Sequence, residues 1–403
     1  MKRLAIGDWR SVMSHHKSQI RHHKFIAAGM ALAWALSVAL SAQAPAPQAP
    51  AGAARAPMSE DVFKNITMLR GVPVNDFMLT MGAFSAALGM SCQDCHSAND
   101  RDWAAFALDN ARKNTARRMI GIMTEINKTH FGGRQVVTCF SCHRGADRPK
   151  MDYDLNVLYG EPPPNPSYII GQAPTAPKAD EVLDKYVQAL GGAQRLAALK
   201  SYTARGESVG YGPESGSPRG VDIYAQAPNR YSMVIHTDSG DDTRTVNGTA
   251  GWYAAPFRPV AVLPLTGQDL EGMQFDATIA FPGQIKTAAR NWRVGFPAVI
   301  DDRDVQVVQG TLAGGGTVTL YFDDETGLLT RQMRYVRSPI GPLTTEVTYS
   351  DYKDVAGVKV PHKFTLRWLN GRENVTLTEV RPNAAVDAAR FAQPAPPVAP
   401  RRN

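Results

Sequence analysis

Cys92-Gln93-Asp94-Cys95-His96 and Cys139-Phe140-Ser141-Cys142-His143 are two copies of one five-residue pattern, C-x-x-C-H, and they use all four cysteines of the 403-residue chain. Two thiols three positions apart with an imidazole directly after them form the signature of covalent c-type haem attachment. Each thiol can form a thioether to one vinyl group, and the His can ligate the iron from the proximal side. Two rival readings use the same cysteines: one tetrahedral zinc on four thiolates, or a dithiol–disulfide couple at each pair. Neither accounts for a His at the fifth position both times. The 43 residues between Cys95 and Cys139 also exceed the usual separation of structural zinc pairs, about fifteen to twenty residues. The motifs therefore read as two covalently bound haem c groups, one on Cys92, Cys95 and His96, the other on Cys139, Cys142 and His143.

Each motif is preceded by a helical pattern. Val74-Asn75-Asp76 starts a helix that reaches Leu88 and stops at Gly89, with Phe77, Met81, Phe84 and Leu88 on one apolar stripe. A second helix starts at Asp109 or Asn110 and runs to about Asn127. It carries Ala116, Met119, Ile120, Met123 and Ile126 on one face, with Arg112, Lys113, Arg117 and Arg118 facing away. Gly132-Gly133 ends that unit. The plan is helix, turn, haem motif, repeated twice, and Trp103, Phe106, Phe131 and Phe140 are the aromatics available to pack on porphyrin.

The strings FMLTMGAFSAALGMSCQDCH, from Phe77 to His96, and ARRM, EIN and VVTCFSCHRG, between Ala116 and Gly145, resemble the cytochrome c subunit of photosynthetic reaction centres. In that multihaem family the helix before each motif supplies a Met as the second axial ligand. The resemblance thus implies Met81 on the first haem iron and Met119 on the second, and soft Met ligation opposite His raises the reduction potential. Met78, Met90 and Met123 are the neighbouring methionines that could fill either role or serve as core filler. Family members commonly carry four haems where this chain has two motifs, and His130 is displaced from the position at which some members place a further His ligand.

The formal charge of +7 sits mainly in the first 44 residues, where Lys2, Arg3, Arg10, Lys17, Arg21 and Lys24 face only Asp8. What remains is too small for a basic patch, so nucleic acid is not an expected partner. The same 44 residues read as a signal peptide or an N-terminal anchor: a positive region to Lys24, an apolar run from Phe25 to Leu40, then Ser41-Ala42-Gln43-Ala44. An Ala/Pro tether follows at 45–57. The expected location is periplasmic or otherwise extracytoplasmic, with membrane association through the N-terminus as one form of it.

After the haem domain, 58–150, residues 151–178 turn Pro-rich, with Tyr153, Leu155, Val157, Leu158 and Tyr159 arguing for a packed first part. From 179 to 395 the text is two short helices and then β, with strands expected at 221–227, 230–237, 252–255, 305–311, 317–322, 329–336, 344–352, 363–369 and 374–380. Val246-Asn247-Gly248 reads as a turn, and helical inserts are expected at 268–276 and 284–291. The opening VLDKYVQALGG followed by a meander with the FDDETGLL hairpin resembles the half-barrel of lipoprotein-sorting carriers. The acidic pairs at Asp241, Asp301 and Asp323 read as solvated turns or calcium sites, and His236 and His362 have no motif around them.

The expected fold class is multidomain: an N-terminal all-α c-type dihaem domain, then an α+β domain dominated by an antiparallel β meander, with a half-barrel as its candidate form. The first functional reading is an exported cytochrome passing single electrons to a redox partner protein. A dihaem enzyme with one open iron, or an envelope carrier binding a lipid or hydrophobic ligand in its β domain, are the alternatives.

Overall fold

The structure, a computed structural model, describes residues 56–96, 103–153, 169, 171–172, 174–210, 216–256 and 258–395. The leader, nearly all of the tether and most of 151–178 lie outside the described residues, including Leu155, Val157, Leu158 and Tyr159. Tyr153 is described and is 94% exposed, so at that position the expected packing is absent.

The helical part runs α1 (Ser59–Val62), α2 (Val74–Leu88), α3 (Cys92–Cys95), α4 (Ala111–Phe131) and α5 (Cys139–His143), with a 3-10 turn at Ala105–Ala107 before α4. Gly89 ends α2 at φ 64°, and a Cβ there would overlap the Gly145 carbonyl just after the second motif. Asn110 caps α4 by accepting the Lys113 N–H at 3.0 Å. The stripe expected on α2 is only half realised. Phe77 is buried together with Val74, Thr80 and Ala87, while Met81, Phe84 and Leu88 are half-buried. On α4 the buried side chains are Ile120, Met123 and Asn127, and Met119 is 40% exposed.

Two further helices, α6 (Ala179–Ala189) and α7 (Ala193–Ala198), lead into a 14-stranded antiparallel sheet. Its strands are β1 (Ser201–Gly210), β2 (Arg219–Gln226), β3 (Arg230–Thr237), β4 (Gly240–Asn247), β5 (Ala250–Ala254), β6 (Val262–Pro264), β7 (Arg290–Val294), β8 (Ala298–Ile300), β9 (Arg303–Thr311), β10 (Thr317–Asp323), β11 (Leu329–Ser338), β12 (Gly341–Val355), β13 (Val358–Trp368) and β14 (Gly371–Pro382). The order is β6-β5-β4-β3-β2-β1-β14-β13-β12-β11-β10-β9-β7, with β8 on β9. Two meanders are thus joined where the first strand pairs with the last. Gly206, at the bulge in that pairing, leaves room for the Thr376 carbonyl, which a Cβ would overlap.

The sheet curls. Helix α8 (Gly267–Ala280), which links β6 to β7, touches β3, β4 and β5 and also β11. In a flat sheet β3 and β11 would be roughly 29 Å apart, at about 4.8 Å per strand, far more than a helix about 10 Å across can bridge. The Arg244 guanidinium on β4 lies 5.5 Å from the Trp368 ring on β13, which again requires the two meanders to face each other. The sheet is therefore an open half-barrel wrapped around α8. Met273 and Ala277 of α8 pack on Val246 and Leu265. Leu183, Tyr186 and Leu190 of α6 close the other half against Val308, Leu320 and Phe322.

Five strands escaped the sequence pattern: β1, β4, β6, β7 and β8. The face that β1 shares with buried Val221 and Ile223 carries Tyr202, Ala204, Gly206 and Ser208, too small and mixed to alternate visibly. Val246 and Asn247 belong to β4 rather than to a turn, and Asp241 and Asp242 lie in the same strand. The second helical insert is a 3-10 segment, Pro282–Thr287, and β7 begins at Arg290, where Asn291 takes a left-handed φ of 54°.

The helical part rests on the end of the sheet where α8 begins. Asn75 of α2 donates to the Asp269 carboxylate of α8, Gly82 lies against the Asn370 side chain in the β13–β14 turn, and Thr138 lies against Gly341 at the β11–β12 turn. Asp76 shares this seam: its carboxyl is pushed up to about 8, first by burial, then by the hydrogen bond and charge of Asp269. At neutral pH it is therefore the protonated partner of the pair. The folded chain keeps a proton that the unfolded chain sheds above pH 3.8, so this contribution to stability is complete below about pH 4 and is lost as pH rises toward about 8. The unfolding midpoint of the intact chain minus that of Asp76→Asn should fall across that window; a difference independent of pH would show that the pair holds no shared proton.

Candidate functional site

The first motif is one helical turn, too short to hold its own geometry, and its neighbours fix it. The Asp94 carboxylate accepts from the Ser91 N–H at 2.8 Å and from the Ser91 hydroxyl at 2.9 Å. These hydrogen bonds, with the Arg112 charge behind them, hold its pKa below the usual carboxylate range. From α4, Asn110 Nδ2 donates to the Cys95 carbonyl at 2.7 Å and Arg112 to the Asp94 carbonyl at 2.8 Å. His96 Nδ1 lies 3.0 Å from the Phe106 carbonyl oxygen, and its ring stacks on Phe106 at 4.8 Å. A carbonyl can only accept, so Nδ1 carries the proton and Nε2 keeps its lone pair. Burial pushes the imidazole pKa down; the Phe106 carbonyl opposes this, and the Lys113 charge lowers the pKa further.

The second motif repeats the logic with different parts. Thr138 N–H donates to Ser141 Oγ at 3.0 Å, which caps α5. His143 is buried, and its Nδ1 lies 3.0 Å from the Ala146 carbonyl, so here too Nε2 is the lone-pair atom. The segment leading into the motif is clamped by Asn127 of α4, which is 4% exposed. Its Oδ1 accepts from Val136 N at 3.0 Å and Val137 N at 2.9 Å, and its Nδ2 donates to the Val137 carbonyl at 2.7 Å. The α2 end meets the same motif, with Gly145 N donating to the Ala87 carbonyl at 2.9 Å.

None of the four cysteines is paired in a disulfide: Cys92 and Cys142 are exposed, and Cys95 and Cys139 are partly covered. Burial raises the pKa of Cys95 and Cys139. Among the described residues no three His, Cys, Asp or Glu side chains converge as a metal cluster, so the four thiols are not gathered around one ion as the zinc reading requires. Leu108, Met119, Ile122, Val136 and Phe140 are exposed to between 40% and 66%, an amount of uncovered apolar surface that calls for a partner. A paired-thiol, ligand-ready imidazole and apolar surroundings together fit a c-type haem at each motif. Met81 is half-buried, Met119 is exposed, and the competing Met123 is buried in the core. His130 is exposed.

Asn110, Arg112 and Asn127, which fasten the backbone of the two motifs, are positions whose role the sequence reading missed. The N-cap of α4 was legible, but nothing in the text says that a cap's amide also reaches Cys95. In the sheet, His236 is bracketed by Asp241 Oδ1 at 2.8 Å and Asp222 Oδ2 at 3.3 Å, and His362 Nδ1 lies 2.9 Å from the Val360 carbonyl. Asp323 accepts from Thr326 N at 2.7 Å within its turn, and Asp301 and Asp302 occupy left-handed turn conformations.

Residues 28–161 match the family model described as photosynthetic reaction centre cytochrome C subunit. The photosynthetic reaction center cytochrome c subunit of Thermochromatium tepidum is 28% identical over 144 residues, covering 34% of this chain and 33% of that protein. That of Rubrivivax gelatinosus is 31% identical over 119 residues, covering 28% and 31%. The chain thus spans about a third of the length of the curated relatives it matches. Among solved structures, a LolA superfamily protein from Nitrosomonas europaea is similar at a TM-score of 0.36 and 12% identity, covering 54% of this chain and 98% of that one.

Asn127→Ala would leave the half-buried Val137 N–H and carbonyl beside the second motif without partners, while the Val136 N–H keeps its bond to the Arg134 carbonyl. A loss of about 1 to 2 kcal/mol in urea unfolding is expected. A loss under about 0.5 kcal/mol, the scale of an ordinary surface substitution, would mean the clamp is not what holds this segment.

Proposed function

We propose that the chain is an extracytoplasmic electron-transfer protein carrying two covalently attached c-type haems, each held by one Cys pair and one proximal His. The observation that carries the reading is the pair of imidazoles. Each directly follows a Cys pair that forms no disulfide, and each has Nδ1 committed to a backbone carbonyl, leaving Nε2 for iron. The match of residues 28–161 to reaction-centre cytochrome subunits supports it independently.

On this reading Cys92 and Cys95, and Cys139 and Cys142, bind haem through thioethers, His96 and His143 are the proximal ligands, and Met81 and Met119 are the distal ones. A haem so held supplies a one-electron iron couple whose potential His/Met ligation raises. The carbonyls of Phe106 and Ala146 orient the imidazoles and increase their donor strength. Phe140, Ile122 and Leu108 offer exposed apolar surface on which a porphyrin could pack. The partner is a redox protein, with a reaction-centre-like complex as the class that the relatives suggest. Attachment of c-type haem outside the cytoplasmic membrane agrees with the export leader expected at 1–44, and no described helix is long and apolar enough to cross a membrane. The half-barrel serves as a platform, because α8 and its side chains already occupy its concave face. A cleft of about 190 Å³ beside α6, lined by Val182, Lys185, Phe322 and Asp324, is small for a lipid.

Haem quantification on the exported holoprotein should give two haems per chain, and neither reduced iron should bind carbon monoxide. Met81→Ala and Met119→Ala should each open one site to it. One haem per chain, or carbon monoxide binding without mutation, would overturn the His/Met electron-carrier reading and favour an enzyme with an open iron.

A further inference from the structure

The two proximal carbonyls are not equivalent. The Phe106 oxygen that accepts from His96 Nδ1 also accepts from Lys113 Nζ at 2.9 Å, and the same ammonium donates to the Leu108 carbonyl at 2.6 Å. Two neighbouring cations on α4 are paired with carboxylates: Arg112 lies 3.5 Å from Asp94 and Arg117 2.7 Å from Asp109. Lys113 feels the Asp109 charge but places its hydrogen bonds on two neutral carbonyls, so its ammonium sits on the loop that carries the His96 acceptor. Among the described residues no Lys or Arg donates to the Ala146 carbonyl beside His143.

Two effects of this arrangement have the same sign. A carbonyl already engaged by an ammonium has less electron density to offer an imidazole N–H, so His96 gains less basicity from its hydrogen bond than His143 does. A cation one hydrogen bond from the ligand's acceptor also disfavours the more positive, oxidised state of a metal held by that ligand.

We infer that Lys113 is a positioning residue that sets the two sites apart, raising the reduction potential at His96 relative to that at His143. This inference rests on the haem reading above and extends it to a residue that touches no haem ligand directly. It makes Phe106 and Lys113 a paired device: one supplies the carbonyl, the other decides how strong an acceptor that carbonyl is. Lys113 also stitches the 106–108 turn to α4, a purely structural service, and the test must separate the two.

The experiment is a potentiometric titration of the intact holoprotein, following both haems, in wild type, Lys113→Gln and Lys113→Arg. Lys113→Gln keeps an N–H donor and removes the charge. It should reduce the equilibrium constant for reduction by about three- to tenfold at one haem only, the one absent from a Cys92→Ser/Cys95→Ser variant. Lys113→Arg should restore the wild-type value. Unchanged potentials in a Lys113→Gln protein that still carries two haems would overturn the inference and leave the haem reading intact. Equal shifts at both haems, or a shift that Arg fails to restore, would reduce Lys113 to a structural brace. Failure of the wild-type chain to carry haem at Cys92 and Cys95 would instead remove the haem reading itself. If Lys113→Gln does not mature, the salt dependence of the wild-type separation decides. The separation should narrow as ionic strength rises, because the Lys113 ammonium is partly exposed, and a constant separation overturns the inference.

Discussion

A helix of four or five residues cannot stabilise itself, and both C-x-x-C-H motifs are helices of that length. Everything about the helical part follows from how the chain solves this. It uses α4 as a spine and fastens each motif to it with side-chain-to-backbone hydrogen bonds. At the N-terminal end of the spine, Asn110 serves two purposes, accepting from Lys113 N and donating to the Cys95 carbonyl. Near the C-terminal end, Asn127 holds Val136 and Val137 just before Cys139. The 21-residue length of α4 therefore spans the two anchor points.

What could be read in advance follows from whether the relevant interaction is local. The helix limits were visible because Asn110, Gly89 and Gly132 are punctuation that acts within one turn. The two C-x-x-C-H motifs were visible because each places its thiols and imidazole within five consecutive residues. The identity of the buried face of α4 was not, since Met119 and Met123 are one turn apart and periodicity cannot choose between them; packing buries Met123 and leaves Met119 at the surface. The sheet divides the same way. Strands β9 to β14 announce themselves through runs such as Val307, Leu320 and Val347. Strand β4 does not, because its interior-facing Arg244 is placed by non-local contacts, over Tyr253 of the adjacent β5 at 5.9 Å and, across the barrel, over Trp368 of β13 at 5.5 Å.

The meanders also explain why a polar helix can occupy the concave face. Asp276 of α8 is buried, which pushes its pKa up, but Arg334 and Gln332 on β11 each bond to it at 2.8 Å, the arginine charge drawing the pKa back down. Replacing such a carboxylate by an apolar residue would strand the Arg334 guanidinium instead, so the pair fixes the register of α8 against β11 more than it adds stability. A groove of this kind, filled by its own helix, differs from one open to a guest.

The seam between helical part and sheet is where these two solutions meet, and it treats the motifs unequally. Thr138, the residue that caps α5, lies on Gly341 of the β11–β12 turn, and the α2 end that touches Gly145 is carried on a helix pinned at Asn75 and Gly82. The second motif is thus braced by the sheet, through contacts with almost no side-chain freedom. The first is braced by α4 and by the 103–108 turn, through longer, charged side chains such as Arg112 and Lys113. The same asymmetry that leaves Lys113 free to act on the first site therefore makes the sheet a support for the second.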